Sequence, residues 1–133
     1  MSAAEVLRKW LEALEERDPD AAMSLVSDDG ILEVPYPMPG RPARFEGKQV
    51  IGEVIGTVLG VLFSSFKLSE VEIFNTDNPE VAIATGHGDA ILHNGDTYSQ
   101  EYVFFVRVRN GLIVEYKEYF DPVRGNAALA TLA

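Results

Sequence analysis

The 133-residue chain has no cysteine. Disulfides, thiolate nucleophiles and cysteine-ligated metals are therefore excluded together. Histidine is almost as scarce: His87 and His93 are the only two, and no His-x-x-x-His spacing exists to hold zinc. The chemistry is expected to use no metal and no cofactor. Basic residues are few, 11 Lys and Arg against 21 Asp and Glu, for a formal net charge of −10. Such a chain repels phosphate backbones and anionic bilayers, so neither nucleic acid nor membrane is expected as a partner. Long apolar runs are also missing. The longest, residues 54–63, is too short to span a bilayer, and the N-terminus lacks the apolar core of a signal peptide. A soluble cytoplasmic protein is the expectation. What is present is an ordinary globular balance, 47% hydrophobic and 24% charged, over a length that suits one domain spanning residues 1–133.

Residues 3–17 place Val6, Leu7, Trp10, Leu11 and Leu14 on one helical face, with Ser2 as cap and Glu5 three residues on. Asp18-Pro19 caps and opens a second short helix, 21–26. Asp28-Asp29-Gly30 reads as a turn before a short strand, 31–34. Four prolines between Pro35 and Pro42 make a stiff loop that could rim a pocket. A third helix covers 48–62. Its Gly52, Gly56 and Gly60 share one face, which suggests close packing by a strand or ligand. Strands follow near 67–74, 81–92, 97–108 and 112–120. The fold class is α+β: helices first, then an antiparallel meander.

The turns permit a trial register. Asn94-Gly95 and Asn110-Gly111 are strong hairpin signals. A two-residue loop at Asn94-Gly95 sets His87 opposite Tyr102 and Asp89 opposite Gln100. It also puts the odd face of 81–92, with its imidazole and carboxylate, on the apolar side. A three-residue loop at the second turn points Leu112, Val114, Tyr116, Glu118 and Phe120 inward and sets Glu118 opposite Tyr102. The outcome is a row His87–Tyr102–Glu118 with neighbouring Cβ atoms ~5 Å apart. His87 and Asp89, ~7 Å apart at Cα, would form a loose pair in which Asp89 orients the imidazole.

In their order and spacing, Asp18-Pro-Asp, Ser27-Asp-Asp-Gly-Ile, Phe45-Glu-Gly-Lys and Glu118-Tyr-Phe-Asp-Pro122 resemble landmarks of the SnoaL-like, or nuclear transport factor 2-like, superfamily. Phe74-Asn-Thr-Asp-Asn-Pro, Gly86-His-Gly and Lys117-Glu-Tyr-Phe look like the phenazine-biosynthesis A/B branch. The resemblance implies a cone-shaped α+β barrel, three N-terminal helices packed on a curved, mostly antiparallel sheet. It also implies a homodimer formed through the outer sheet face. Polyketide cyclases and phenazine A/B proteins place an active-site carboxylate where Glu118 stands. Limonene epoxide hydrolases use an Arg-x-Asp pair and a last-strand Asp, at positions matching His87, Asp89 and Glu118. The helix His of the phenazine proteins falls at Val54, the water-binding Tyr and Asn of the epoxide hydrolases at Leu32 and Val34, and the base of ketosteroid isomerases at Val34.

The reading that follows is a cofactor-independent small-molecule enzyme of secondary metabolism. It would isomerise, cyclise or open an epoxide on an apolar, polyketide-like substrate. Glu118 and Asp89 would be acid and base, and His87 and Tyr102 would orient groups or stabilise charge. Trp10, Tyr36, Met38, Phe63, Phe104, Tyr116 and Gln100 would bind the substrate. The alternative is a non-catalytic ligand-binding or dimeric scaffold protein of the same fold, which the apolar residues at Leu32, Val34 and Val54 favour.

Overall fold

The computed structural model describes residues 1–131. Helix α1 (Ala3–Glu15) begins where Ser2 accepts the Glu5 N–H, and it buries Val6, Leu7, Trp10, Leu11 and Leu14. Arg17, in the left-handed region, turns the chain. Asp18 caps α2 (Pro19–Met23), which is shorter than expected. Strand β1 (Val26–Glu33) starts five residues earlier than the sequence suggests. Asp28-Asp29-Gly30 is not a turn but part of this strand, where the pairing with the last strand is interrupted between Val26 and Ile31. The proline loop leaves from β1 and returns as β2 (Arg44–Glu46), its neck closed by the Val34 N–H on the Ala43 carbonyl.

Helix α3 (Lys48–Thr57) does not run to residue 62. It widens into a π-turn over Val58–Leu62. Carbonyls in and just after it find side-chain partners: Arg17 reaches Leu59 and Phe63 at 3.2 and 2.9 Å, and His93 reaches Gly60 at 3.1 Å. The glycine face of this helix has no strand against it. A Cβ at Gly52 would meet only Met23, and at Gly56 or Gly60 nothing within 4 Å.

Strands β3 (Phe63–Asn75), β4 (Val81–Leu92), β5 (Thr97–Arg109) and β6 (Leu112–Tyr119) form the meander. Helix α4 (Pro122–Ala130), which the sequence reading omitted, is capped by Asp121 with Pro122 at its first position. Among the described residues the sheet has six strands in the order β2-β1-β6-β5-β4-β3, all neighbours antiparallel except β1 and β6. The class is α+β as expected, but the curved sheet does not close into a barrel. β2 and β3 remain its edges, and α1 fills the concave side, with Trp10 wholly buried 4.7 Å from the Tyr116 ring.

Both hairpins depart from the expected register. The β4–β5 loop has three residues, not two: Leu92 bonds to Asp96, and Gly95 sits at φ +91°. His87 therefore pairs with Glu101, Asp89 with Ser99, and Gly86 with Tyr102. At the second turn Asn110 and Gly111, both at positive φ, form a two-residue loop that pairs Arg109 with Leu112. A bulge past Ile113 then shifts the pairing by one, so Glu118 lies opposite Phe104 rather than Tyr102. Leu112 turns outward, 37% exposed, and Ile113 takes the inward place.

Candidate active site

The even face of β5 and the last turns of β6 define the concave floor. Tyr98, Gln100, Tyr102, Phe104 and Val106 point inward, as do Tyr116 and Glu118. β4 presents its small face, Ala82, Ala84, Gly86, Gly88 and Ala90, to the same side. At Gly88 the reason is contact: a Cβ there would stand 2.5 Å from a Tyr102 ring carbon and 3.0 Å from Phe66. The glycine is a bed on which the Tyr102 ring lies, stacked on Phe104 at 5.2 Å.

Above this floor is a cavity of about 430 Å³. Phe63, Phe66, Tyr98, Tyr102 and Phe120 line one side, and the inner face of α3 and its π-turn lines the other through Val54, Val58, Leu59 and Leu62. Pro37 and Met38 of the proline loop and Gly125 and Leu129 of α4 cover it. Exposed Arg41, Glu53 and Thr57 mark its open side.

Glu118 is the carboxylate that borders the interior of this cavity. It is closely surrounded by protein, keeps part of its surface, and lines the cavity. The Tyr116 hydroxyl donates to its Oε1 at 2.6 Å. Burial pushes the Glu118 pKa above the usual carboxylate value, and the Tyr116 donation opposes that rise without cancelling it. The Tyr116 and Tyr102 phenols are both held well above their ordinary values, first by burial and then by the nearby Glu118 charge. The Trp10 indole N–H lies near enough to the Tyr116 oxygen to lower its pKa. It falls outside hydrogen-bond geometry, and it is the one buried side-chain polar atom without a partner among the described residues.

The structure brings together Glu118, Tyr102, Tyr116, Met38 and Phe63 from the expected set. It separates the rest. His87 and Asp89 lie on the outer face of β4, because the extra loop residue inverts the strand. There His87 Nδ1 meets Glu101 at 2.5 Å and Nε2 meets Asp89 at 3.2 Å, while Ser99 donates to Asp89 at 2.6 Å. The Asp89 side chain is 59% exposed. Glu101 above all, then Asp89, raises the His87 pKa, and the Ser99 donation first holds Asp89 down. Trp10 and Phe104 are wholly buried core and do not line the cavity. Tyr36 is 64% exposed and packs against Tyr119. Gln100 is wholly buried behind Tyr98, which it binds. Phe66, a plausible wall from its aromatic character, does line the cavity, whereas Tyr98, Phe120 and the α4 residues were not expected to. Tyr98 was legible from its place on the Gln100–Tyr102 face, and α4 from its Asp-Pro start.

A family model described as the SnoaL-like domain matches residues 7–116. An uncharacterised PhzA/B-like protein of Pseudomonas aeruginosa is 32% identical over 130 residues, covering 97% of this chain and 91% of that one. Among solved structures, a Bacillus subtilis protein provisionally named an isomerase superposes with a TM-score of 0.85 and 28% identity, covering 96% of this chain and 92% of its own. A provisionally named polyketide cyclase of Pseudomonas putida superposes with a TM-score of 0.80 at 19% identity, covering 94% and 96%.

Proposed function

Because the chain belongs to the SnoaL-like family, we propose that its cavity takes a small, apolar, polyketide-like molecule and that Glu118 moves protons on it. The observation that carries this is a desolvated carboxylate with a raised pKa, held by Tyr116 at one oxygen and lining an apolar cavity. Water exclusion strengthens such a group as a base once it is ionised. With Asp89 outside, one carboxylate serves both proton steps. Glu118 takes a proton from the carbon beside a carbonyl, and the electron pair moves onto the carbonyl oxygen as an enolate. The proton then returns to another carbon in an isomerisation, or to the new alkoxide when the enolate attacks a second carbonyl and closes a ring. This shuttle favours isomerisation or cyclisation over epoxide opening, where acid and base act on different groups together.

The test needs no prior substrate. Enolisable bicyclic ketones in D₂O are followed by NMR for exchange of their α-protons. Catalysed exchange should be lost in Glu118→Gln while the circular dichroism spectrum stays unchanged. Undiminished exchange in that variant refutes the role. A second reading has its own support: Leu32, Val34 and Val54 line the cavity with apolar groups where related enzymes carry polar ones. A ligand-binding protein without turnover would bind the ketones and leave their exchange at the buffer rate.

A further inference from the structure

Gln100 has no exposed surface, and every polar position of its amide is occupied. Its Oε1 accepts the backbone N–H of Glu101 and of Asp121, each at 3.1 Å. Two backbone donors fix which end of the amide is oxygen. Nε2 therefore donates, to the Asp121 carbonyl at 2.9 Å and to the Tyr98 hydroxyl oxygen at 2.8 Å. A phenol whose oxygen accepts in this way keeps its own proton for another acceptor. Among the described residues Tyr98 has no such acceptor. Tyr98 and Gly125 both line the cavity, and the Tyr98 hydroxyl is 3.3 Å from where a Cβ of Gly125 would stand. Met38 Sδ and a Phe120 ring carbon stand 3.0 and 3.4 Å from the same point, so only a glycine fits beside the phenol.

We propose that Tyr98, aimed by Gln100, is the donor that receives a carbonyl oxygen of the ligand, and that the cavity thereby selects neutral carbonyl compounds. The chain amide–phenol–carbonyl runs in one direction, so each bond polarises the next. Burial keeps the Tyr98 phenol protonated above its ordinary range, so it stays a donor wherever Glu118 is ionised. An anionic ligand would face Glu118 with no buried cation among the residues lining the cavity to balance it. Tyr102 also borders the cavity, but no side-chain hydrogen bond among the described residues sets its direction. The assignment rests on the cavity being the ligand site; it does not need Glu118 to act as base.

The experiment binds a ¹³C=O-labelled tetralone and its hydrocarbon counterpart, tetralin, to the wild type, Tyr98→Phe, Tyr102→Phe and Gln100→Glu. Isotope-edited infrared spectroscopy reads the carbonyl stretch. In the wild type the stretch should fall below its value in hexane. Tyr98→Phe should restore the hexane value and weaken tetralone binding by roughly three- to tenfold, with tetralin unaffected. Gln100→Glu, folded, should do the same by drawing the Tyr98 proton away. Three results overturn the proposal: an unshifted carbonyl in the wild type, a shift that survives Tyr98→Phe, or a shift lost only in Tyr102→Phe. Each leaves the Glu118 reading to its own exchange test. Failure of both probes to bind the wild type overturns the cavity reading and this assignment together.

Discussion

At the scale of single residues, Glu118 couples function to stability. Its pKa is raised in the folded protein, so the protonated form folds without the cost of a buried charge and the ionised form does not. The stabilisation is complete below the unfolded-state value and is lost as pH rises through the folded one. Glu118→Gln keeps an acceptor for Tyr116 and carries no charge. It should raise the melting temperature at pH 7–8, and the gain should shrink to nothing near pH 4. A gain of equal size at both pH values would mean that the carboxylate is not desolvated. The identity and inward aim of Glu118 were legible in the sequence, because Tyr116 and Glu118 alternate with charged neighbours. The positions of His87 and Asp89 were not. Polarity alternation assigns two faces to a strand, but it does not say which one is buried. In β4 the small residues that look like the poorer core face are the inner one, since Tyr102 and Phe66 rings need the room at Gly88.

At the scale of elements, turn chemistry decided more than periodicity. Asn-Gly marks a hairpin correctly in both places, yet the first loop holds three residues and the second two. The dipeptide alone does not distinguish them. The second register recovered the correct inward face for Glu118 only because a bulge in β6 shifted the pairing as a longer loop would have. The π-turn closing α3 was illegible for a different reason: carbonyls in and just after it are satisfied by Arg17 and His93, distant in sequence. For β4 the expected consequence is quantitative. Gly88→Ala pushes a methyl group into the stacked Tyr102 and the Phe66 ring. It should cost about 1–3 kcal/mol in urea denaturation and reduce tetralone binding as Tyr102 moves into the cavity. Unchanged stability would show that the rings are not seated there.

At the scale of the whole molecule, the α+β class and the order of elements, β2 and α4 excepted, were readable from hydrophobic period and capping signals. The family resemblance supplied the curved sheet. Sheet closure was not readable, because it depends on whether the two edge strands meet. The net charge of −10 acts on the molecule as a whole. Folding concentrates it, and salt screens it, with the Debye length falling from ~30 Å at 0.01 M to ~10 Å at 0.1 M. The melting temperature at pH 7.5 should therefore climb over that range and level off. A fall would mean that the Arg107–Glu115 and Arg44–Glu46 type ion pairs outweigh the repulsion. The three-residue loop at His93-Asn94-Gly95 has a consequence for how such a chain can change by descent. Loss of one codon there would reverse which side of β4 faces the concave interior, exchanging a bed of glycine and alanine for an imidazole and a carboxylate. A three-base deletion would accomplish what otherwise takes several substitutions, at the cost of the seat beneath Tyr102.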